Sequence, residues 1–338
     1  MDANFKVKRG TNISHWLSQS DARSDERRSR FTQADARLLA DTGLDHLRLP
    51  IDEVQMWDDQ GQPIEEAWDL LQTGLDWVLD NGMNAIVDLH ILRSHFFNAK
   101  VNPLFSDPAA AERFADCWRT ISARLVGRPL NRVAYELMNE PVADDPQDWN
   151  RVARVAYDAI RVLEKDRCIV LGSNKWNGAW HFNTLDVPEN DRNMILTFHY
   201  YNPMALTHYR APWVPDMTGY TGPVQYPGQP IAQADFNALP HEVQLRVSGL
   251  NLFSNADTMT ADLMWPLAVS ARTGLPLYCG EFGVVSNVPD GPRIAWYRDF
   301  KAVLEQHDIA WANWDFRGGF ALFTKDGRKT AACTGLFG

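Results

Sequence analysis

Cysteine is scarce and scattered: Cys117, Cys168, Cys279 and Cys333 are the only four in 338 residues, and no two form a C-x-x-C pair. Metal-finger spacing is thereby excluded, and three of the four fall in apolar helix or strand patterns, where a reduced buried thiol is expected. A basic stripe is missing too, since 33 Lys and Arg face 43 Asp and Glu for a formal net charge of −10. Nothing here replaces the counterions of a polyanion, so no nucleic-acid partner is expected and a neutral ligand suits the chain better. No apolar run is long and uncharged enough to cross a bilayer, and Met1-Asp2-Ala3-Asn4-Phe5-Lys6 holds no apolar signal core. Internal repeats, low-complexity tracts and linkers are also lacking, which leads to the expectation of one domain over residues 1–338.

The chain does contain strand-length apolar runs separated by helical patterns, the signature of repeated βα units. Eight such strands are expected: Lys6–Ile13, His46–Pro50, Ala85–His90, Val133–Asn139, Cys168–Gly172, Ile195–Tyr201, Leu277–Phe282 and Ile309–Phe316. Eight parallel strands with helices between them close as an α/β, (β/α)8 TIM barrel. Helix signals agree: Thr32 caps a helix that Gly43 ends, Asp107-Pro108 opens a stretch to Leu125, and Asp145-Pro146 opens the next. One stretch, 202–251, follows the sixth strand and is far longer than a normal βα loop, which makes it a candidate for substrate selection over the active face.

Chemistry gathers at the strand ends. The run Ala134-Tyr135-Glu136-Leu137-Met138-Asn139-Glu140-Pro141 stops abruptly at an amide, a carboxylate and a proline, and Pro276-Leu277-Tyr278-Cys279-Gly280-Glu281 brings a second carboxylate to a second strand tip. Two carboxylates so placed suit glycoside hydrolysis. Asn12, Arg48, His90, Asn174-Lys175-Trp176, His199, Tyr201 and Trp314 end other strands, and 13 Trp with 16 Phe can supply cleft walls that stack on pyranose rings.

Arg48, His90, Asn139-Glu140, His199-Tyr200-Tyr201, Glu281 and Trp314 together resemble the recurrent set of glycoside hydrolase family 5, the cellulase-type retaining enzymes, over nearly the whole chain. The resemblance implies that Glu140 is the acid/base on strand four and Glu281 the nucleophile on strand seven. It further implies that Arg48 and Tyr201 hold Glu281 ionised, that Asn139 binds the sugar 2-hydroxyl, and that His90 binds a hydroxyl in the same subsite. His199 would tune the acid/base and Trp314 would lie beneath the ring at the cleavage point. His15, Trp16, His95, Trp176, His208, Tyr209 and Trp213 are further candidates for neighbouring sugars.

The leading expectation is an endo-β-1,4-glucanase needing neither cofactor nor metal; exo-acting glycosidase, mannanase and xyloglucanase specificities remain open within the same residues. A non-catalytic carbohydrate-binding barrel would keep the aromatics and lose a carboxylate. Asp88 with His90 on one strand face could also be read as metal ligands, yet a catalytic zinc wants three protein ligands, and Asp88 reads better as a brace for a neighbour. Activity is accordingly expected to survive chelators. Polymeric glycans lie outside the cytoplasm, so a secreted or periplasmic protein with its leader removed is expected, with a cytoplasmic protein as the alternative. Oligomeric state is left open.

Overall fold

The computed structural model describes residues 5–217 and 219–338, so the first four residues of the opening segment lie outside the described residues. Eight strands, β1 (Arg9–Asn12), β2 (His46–Asp52), β3 (Asn84–Ile91), β4 (Val133–Glu136), β5 (Ile169–Gly172), β6 (Met194–Tyr200), β7 (Leu277–Phe282) and β8 (Ala310–Asn313), close in chain order into a parallel barrel. Helices fall between the strands, as the alternating pattern requires. Strands covered on both faces read as continuous apolar runs, and every residue of β2, β4, β5, β6 and β7 is buried.

The strand ends differ in detail from the expectation. Regular pairing in β4 stops at Glu136 rather than Asn139, although Leu137 N still donates to Val170 O at 3.1 Å and Asn139 N to Leu89 O at 3.2 Å. The ladder of β1 begins at Arg9, not Lys6, and β8 ends before Trp314. Helix starts follow their caps. Thr32 and Asp35 form a reciprocal capping box, while Asp107 and Asp145 each accept a backbone N–H from a helix that opens with proline.

The chain divides into two compact units. The first takes residues up to 199, 265–280 and 310–312, and thus nearly all of the barrel wall. Its apolar floor is Phe5, Ile86, Ala134, Cys168, Val170, Ile195, Tyr278 and Ala312. Beside that floor the His46 Nε2 lies 3.1 Å from the Tyr278 hydroxyl, and a Cβ on Gly10 would stand 2.4 Å from the His46 ring, so only glycine fits there.

The second unit takes residues 200–264, 281–309 and 313–338. The long segment after β6 is ordered by its own helices, Met204–Thr207, Gln233–Asn237 and His241–Ser248, rather than being a plain loop. The Asn251 side chain brackets Ile231, accepting from its N at 2.7 Å and donating to its O at 3.0 Å. Tyr200 stacks on Phe300 of the helix Asp290–Gln306 with centroids 4.3 Å apart, and the Trp296 indole donates to Asn202 O at 3.0 Å. Among the described residues no helix is long and apolar enough to cross a membrane.

Candidate active site

In the first unit the polar strand-end residues gather around Arg48, which is fully buried on β2. Glu136 holds its guanidinium by two bonds along one edge, Nε to Oε2 at 2.7 Å and Nη2 to Oε1 at 3.0 Å, and Asp88 stands 3.0 Å from Nη2. Asp88 and Glu136 are register partners on β3 and β4, so two carboxyls lie side by side in a site without water contact. Burial pushes each of them up to about 7, and the pull of Arg48 offsets this only partly.

This cluster makes a prediction about stability. Glu136→Ala leaves Arg48 short of its main counterion and should cost about 3 to 5 kcal/mol in urea unfolding. The pH sign follows from the raised carboxyls, whose folded form binds more protons than the unfolded chain. Their contribution to stability is full below the ordinary carboxyl range and is lost as pH rises through about 7. Glu136→Gln should flatten that fall, and an unchanged pH profile would contradict the assignment.

Arg48 also sets two amides. Its Nη2 donates to Asn139 Oδ1 at 2.9 Å and its Nη1 to Asn12 Oδ1 at 2.8 Å. Because a guanidinium has only donors, each amide must turn its oxygen toward Arg48 and its NH2 away. Asn139 Nδ2 is left without a partner among the described residues, a donor ready for a ligand hydroxyl. His90 Nδ1 donates to Asp88 at 2.7 Å, which leaves Nε2 to accept from the Gln19 amide at 2.7 Å. Asp88 and His90 are therefore engaged with each other beside a guanidinium, a poor setting for a cation.

Glu140 follows Asn139 with φ at 48°, a left-handed conformation costly for a residue with a Cβ and common at functional sites. Its Oε1 lies 2.9 Å from His199 Nδ1, and Asn177 Nδ2 lies 3.4 Å from His199 Nε2. Burial first, then the Arg48 charge, holds the His199 pKa well below the usual imidazole range. A neutral ring that takes a hydrogen from Asn177 at Nε2 carries its own on Nδ1, directed at Glu140. The turn that follows β5 is tied to the same region: Asn174 pairs with both backbone atoms of Ala143 at 2.9 Å, and Trp176 N donates to Pro141 O at 3.2 Å.

In the second unit Glu281 is buried at the tip of β7 and accepts from the Tyr201 hydroxyl at 2.9 Å. Val285 N donates to Thr207 O at 3.0 Å, which fixes the chain after Glu281 to the chain after Tyr201. His208 packs edge-on to Tyr201 at 5.0 Å and to Phe320 at 5.6 Å, and burial pushes its pKa down to about 4. Trp314, almost buried, donates its backbone N–H to Phe282 O at 2.8 Å.

Of the further sugar-binding candidates, Trp176 and Trp213 are half exposed and can each offer a ring face. Trp16 cannot. It is fully buried, with Phe31 edge-on at 5.2 Å, and it presses so closely on the helix Glu65–Asp80 that a Cβ on Gly74 would lie 2.4 Å from its ring. His95 is buried as well, neither ring nitrogen has a partner among the described residues, and burial lowers its pKa to about 3. His15 is partly exposed and bonds Ser14 at 2.8 Å, and Tyr209 is buried, its hydroxyl donating to Gly222 O at 2.7 Å.

Glu136 and Gln19 are not among the strand-tip candidates of the sequence. Glu136 gave one usable signal, a carboxylate in the middle of an otherwise apolar strand, since an unpaired acid is almost never fully buried. Gln19 gave none, because the turn that brings it to His90 is tertiary.

A closed (β/α)8 barrel with buried carboxyls, amides and imidazoles at its strand tips defines a barrel enzyme acting on glycosides. The chain belongs to the cellulase family, glycosyl hydrolase family 5, whose sequence profile matches residues 9–319. It is thus a retaining glycoside hydrolase. Endoglucanase C of Acetivibrio thermocellus is 30% identical over 326 residues, covering 94% of this chain and 94% of that protein. Cellodextrinase A of Ruminococcus flavefaciens is 29% identical over 307 residues, covering 89% and 83%. Among solved structures, Thermotoga maritima Cel5A in complex with cellobiose has a TM-score of 0.79 at 22% identity, covering 99% of this chain and 98% of that one. The cellulose synthase subunit Z of Clostridioides difficile gives 0.79 at 22%, covering 98% and 100%; at such identity the likeness speaks for the fold.

Proposed function

We propose that this hydrolase cuts β-1,4-linked glucan internally, with Glu140 as acid/base and Glu281 as nucleophile. The observation that carries the assignment is the setting of the nucleophile. Glu281 is buried at the tip of β7 and accepts a hydrogen bond from the Tyr201 phenol, which favours the ionised form that attacks carbon.

In the first step the Glu281 carboxylate attacks the anomeric carbon while Glu140 protonates the departing glycosidic oxygen. A glycosyl ester forms, and water deprotonated by Glu140 then attacks the same carbon and frees Glu281. A retaining pair works with its carboxyls about 5 to 5.5 Å apart. Asn139 would give its amide hydrogens to the 2-hydroxyl, an interaction that strengthens as the ring approaches its oxocarbenium-like state. His90, its ring set by Asp88 and Gln19, would line the same subsite and bind a hydroxyl in place of the Gln19 amide, Trp314 would lie beneath the ring, and Trp176 and Trp213 would support neighbouring sugars.

The substrate assignment draws on the endoglucanases among the relatives that match over most of the chain. Its test is the product pattern from cellohexaose, read beside rates on carboxymethyl cellulose, lichenan, mannan and xyloglucan. Mixed oligosaccharides from cellohexaose, with fastest turnover on the β-glucans, are expected. Glucose as the sole early product would overturn the internal mode of cutting, and faster turnover of mannan would overturn the glucan assignment.

A further inference from the structure

We propose that Asn12, the last residue of β1, is a positioning residue for Glu281: it holds the carbonyl of Gly280, and with it the peptide from which Glu281 is hung, in an orientation that Arg48 imposes. The inference rests on the reading of Glu281 as nucleophile, and Asn12 lies outside the set of residues that the family resemblance supplies.

Asn12 is fully buried, its Nδ2 donating to Gly280 O at 2.9 Å and its Oδ1 accepting from Arg48 Nη1 at 2.8 Å. In the barrel order β8 stands between β7 and β1, so this bond is not part of a strand ladder; it reaches across the barrel interior. The amide has one allowed orientation, because Arg48 offers donors only and the carbonyl of Gly280 accepts only. Arg48 cannot turn to release it, since Glu136 holds the guanidinium by two bonds along one edge and Asn139 accepts from Nη2 as well.

The peptide that Asn12 holds is closely packed on its other side. A Cβ on Gly280 would stand 2.8 Å from Thr197 Oγ1 and 3.4 Å from His199 Nε2, so the backbone lies hard against β6. A peptide unit is planar and includes the Cα atoms at both ends. Fixing the Gly280 carbonyl therefore fixes the Glu281 Cα, from which the nucleophilic side chain starts. A misplacement of ~1 Å at a reacting group costs on the order of 100-fold in rate, and loss of this one tether should cost about 10- to 100-fold in the step that forms the glycosyl ester.

Asn12→Asp is the sharper variant, because one oxygen can still accept from Arg48 while the other is set against the Gly280 carbonyl. Asn12→Ala removes both bonds and serves where the aspartate variant does not fold. The readout is covalent labelling of the full chain by a 2,4-dinitrophenyl 2-deoxy-2-fluoro-β-cellobioside, in which the Glu281 oxygen bonds to the anomeric carbon and dinitrophenolate leaves. The phenolate burst counts active sites, the saturating rate constant reports attack at each of them, and peptide mass identifies the labelled residue. Expected is a label on Glu281 in every protein, with the rate constant per site lowered 10- to 100-fold in the variants. A smaller burst with an unchanged rate constant would show that Asn12 only supports folding, and would overturn the proposal while leaving Glu281 as nucleophile. A wild-type label on any other residue would overturn the nucleophile assignment itself.

Discussion

Glu281→Gln should lower turnover of β-glucan by on the order of 10,000-fold or more while leaving glycan binding within a small factor of wild type. The amide has the shape of the carboxylate and can still accept from the Tyr201 hydroxyl that now bonds Glu281 at 2.9 Å, so the site has no reason to collapse. What disappears is the charge that attacks carbon. Initial rates on carboxymethyl cellulose, set beside calorimetric titration with cellotetraose, separate the two effects. Substantial residual turnover with intact binding would show that another group attacks.

Glu140→Gln should behave differently because acid assistance matters only in proportion to how poorly the leaving group departs. On cellulosic substrates the loss should be about 100- to 10,000-fold, the usual range for a general acid. On a dinitrophenyl cellobioside, whose phenolate leaves unaided, the first step should be nearly intact and deglycosylation should limit the rate. Glutamine keeps the length of the side chain and the left-handed backbone of Glu140, so stability should change little. Equal losses on the two substrates would contradict the acid/base role. Nearly equal melting temperatures for the two proteins are needed for that comparison to be clean.

The barrel was legible because its signal is repeated: most of the eight strands are buried, largely apolar runs with polar residues at or just beyond their ends. Their limits were less legible where backbone pairing continues irregularly, as at Leu137 and Asn139 beyond the end of β4. The helices Gln233–Asn237 and His241–Ser248 were missed for a definite reason, since Ala232 and Pro240 precede them and neither start has a side-chain cap. From its place after a strand, Trp16 reads as a cleft residue. The left-handed turn at His15 lies just before it, and burial against Phe31 and Gly74 is decided by contacts distant in sequence. The support around Arg48 was legible only in part: Asp88 reads as a brace for a neighbour, but its meeting with Glu136 comes through the pairing of β3 with β4.

The four cysteines have a consequence for how this enzyme can be studied. None is in a disulfide and all four are buried, and burial raises the thiol pKa of Cys117, Cys168 and Cys333, Cys168 to about 12, so hardly any reactive thiolate exists at those three in the native fold. Alkylating reagents can reach these sulfurs only through opening of the chain around them. Because they are placed on the helix Pro108–Leu125, just before β5, within β7 and on the helix Ala331–Phe337, they act as four separate built-in clocks. The order in which they take up label near the melting temperature reads out which part of the barrel opens first, with no probe engineered into it.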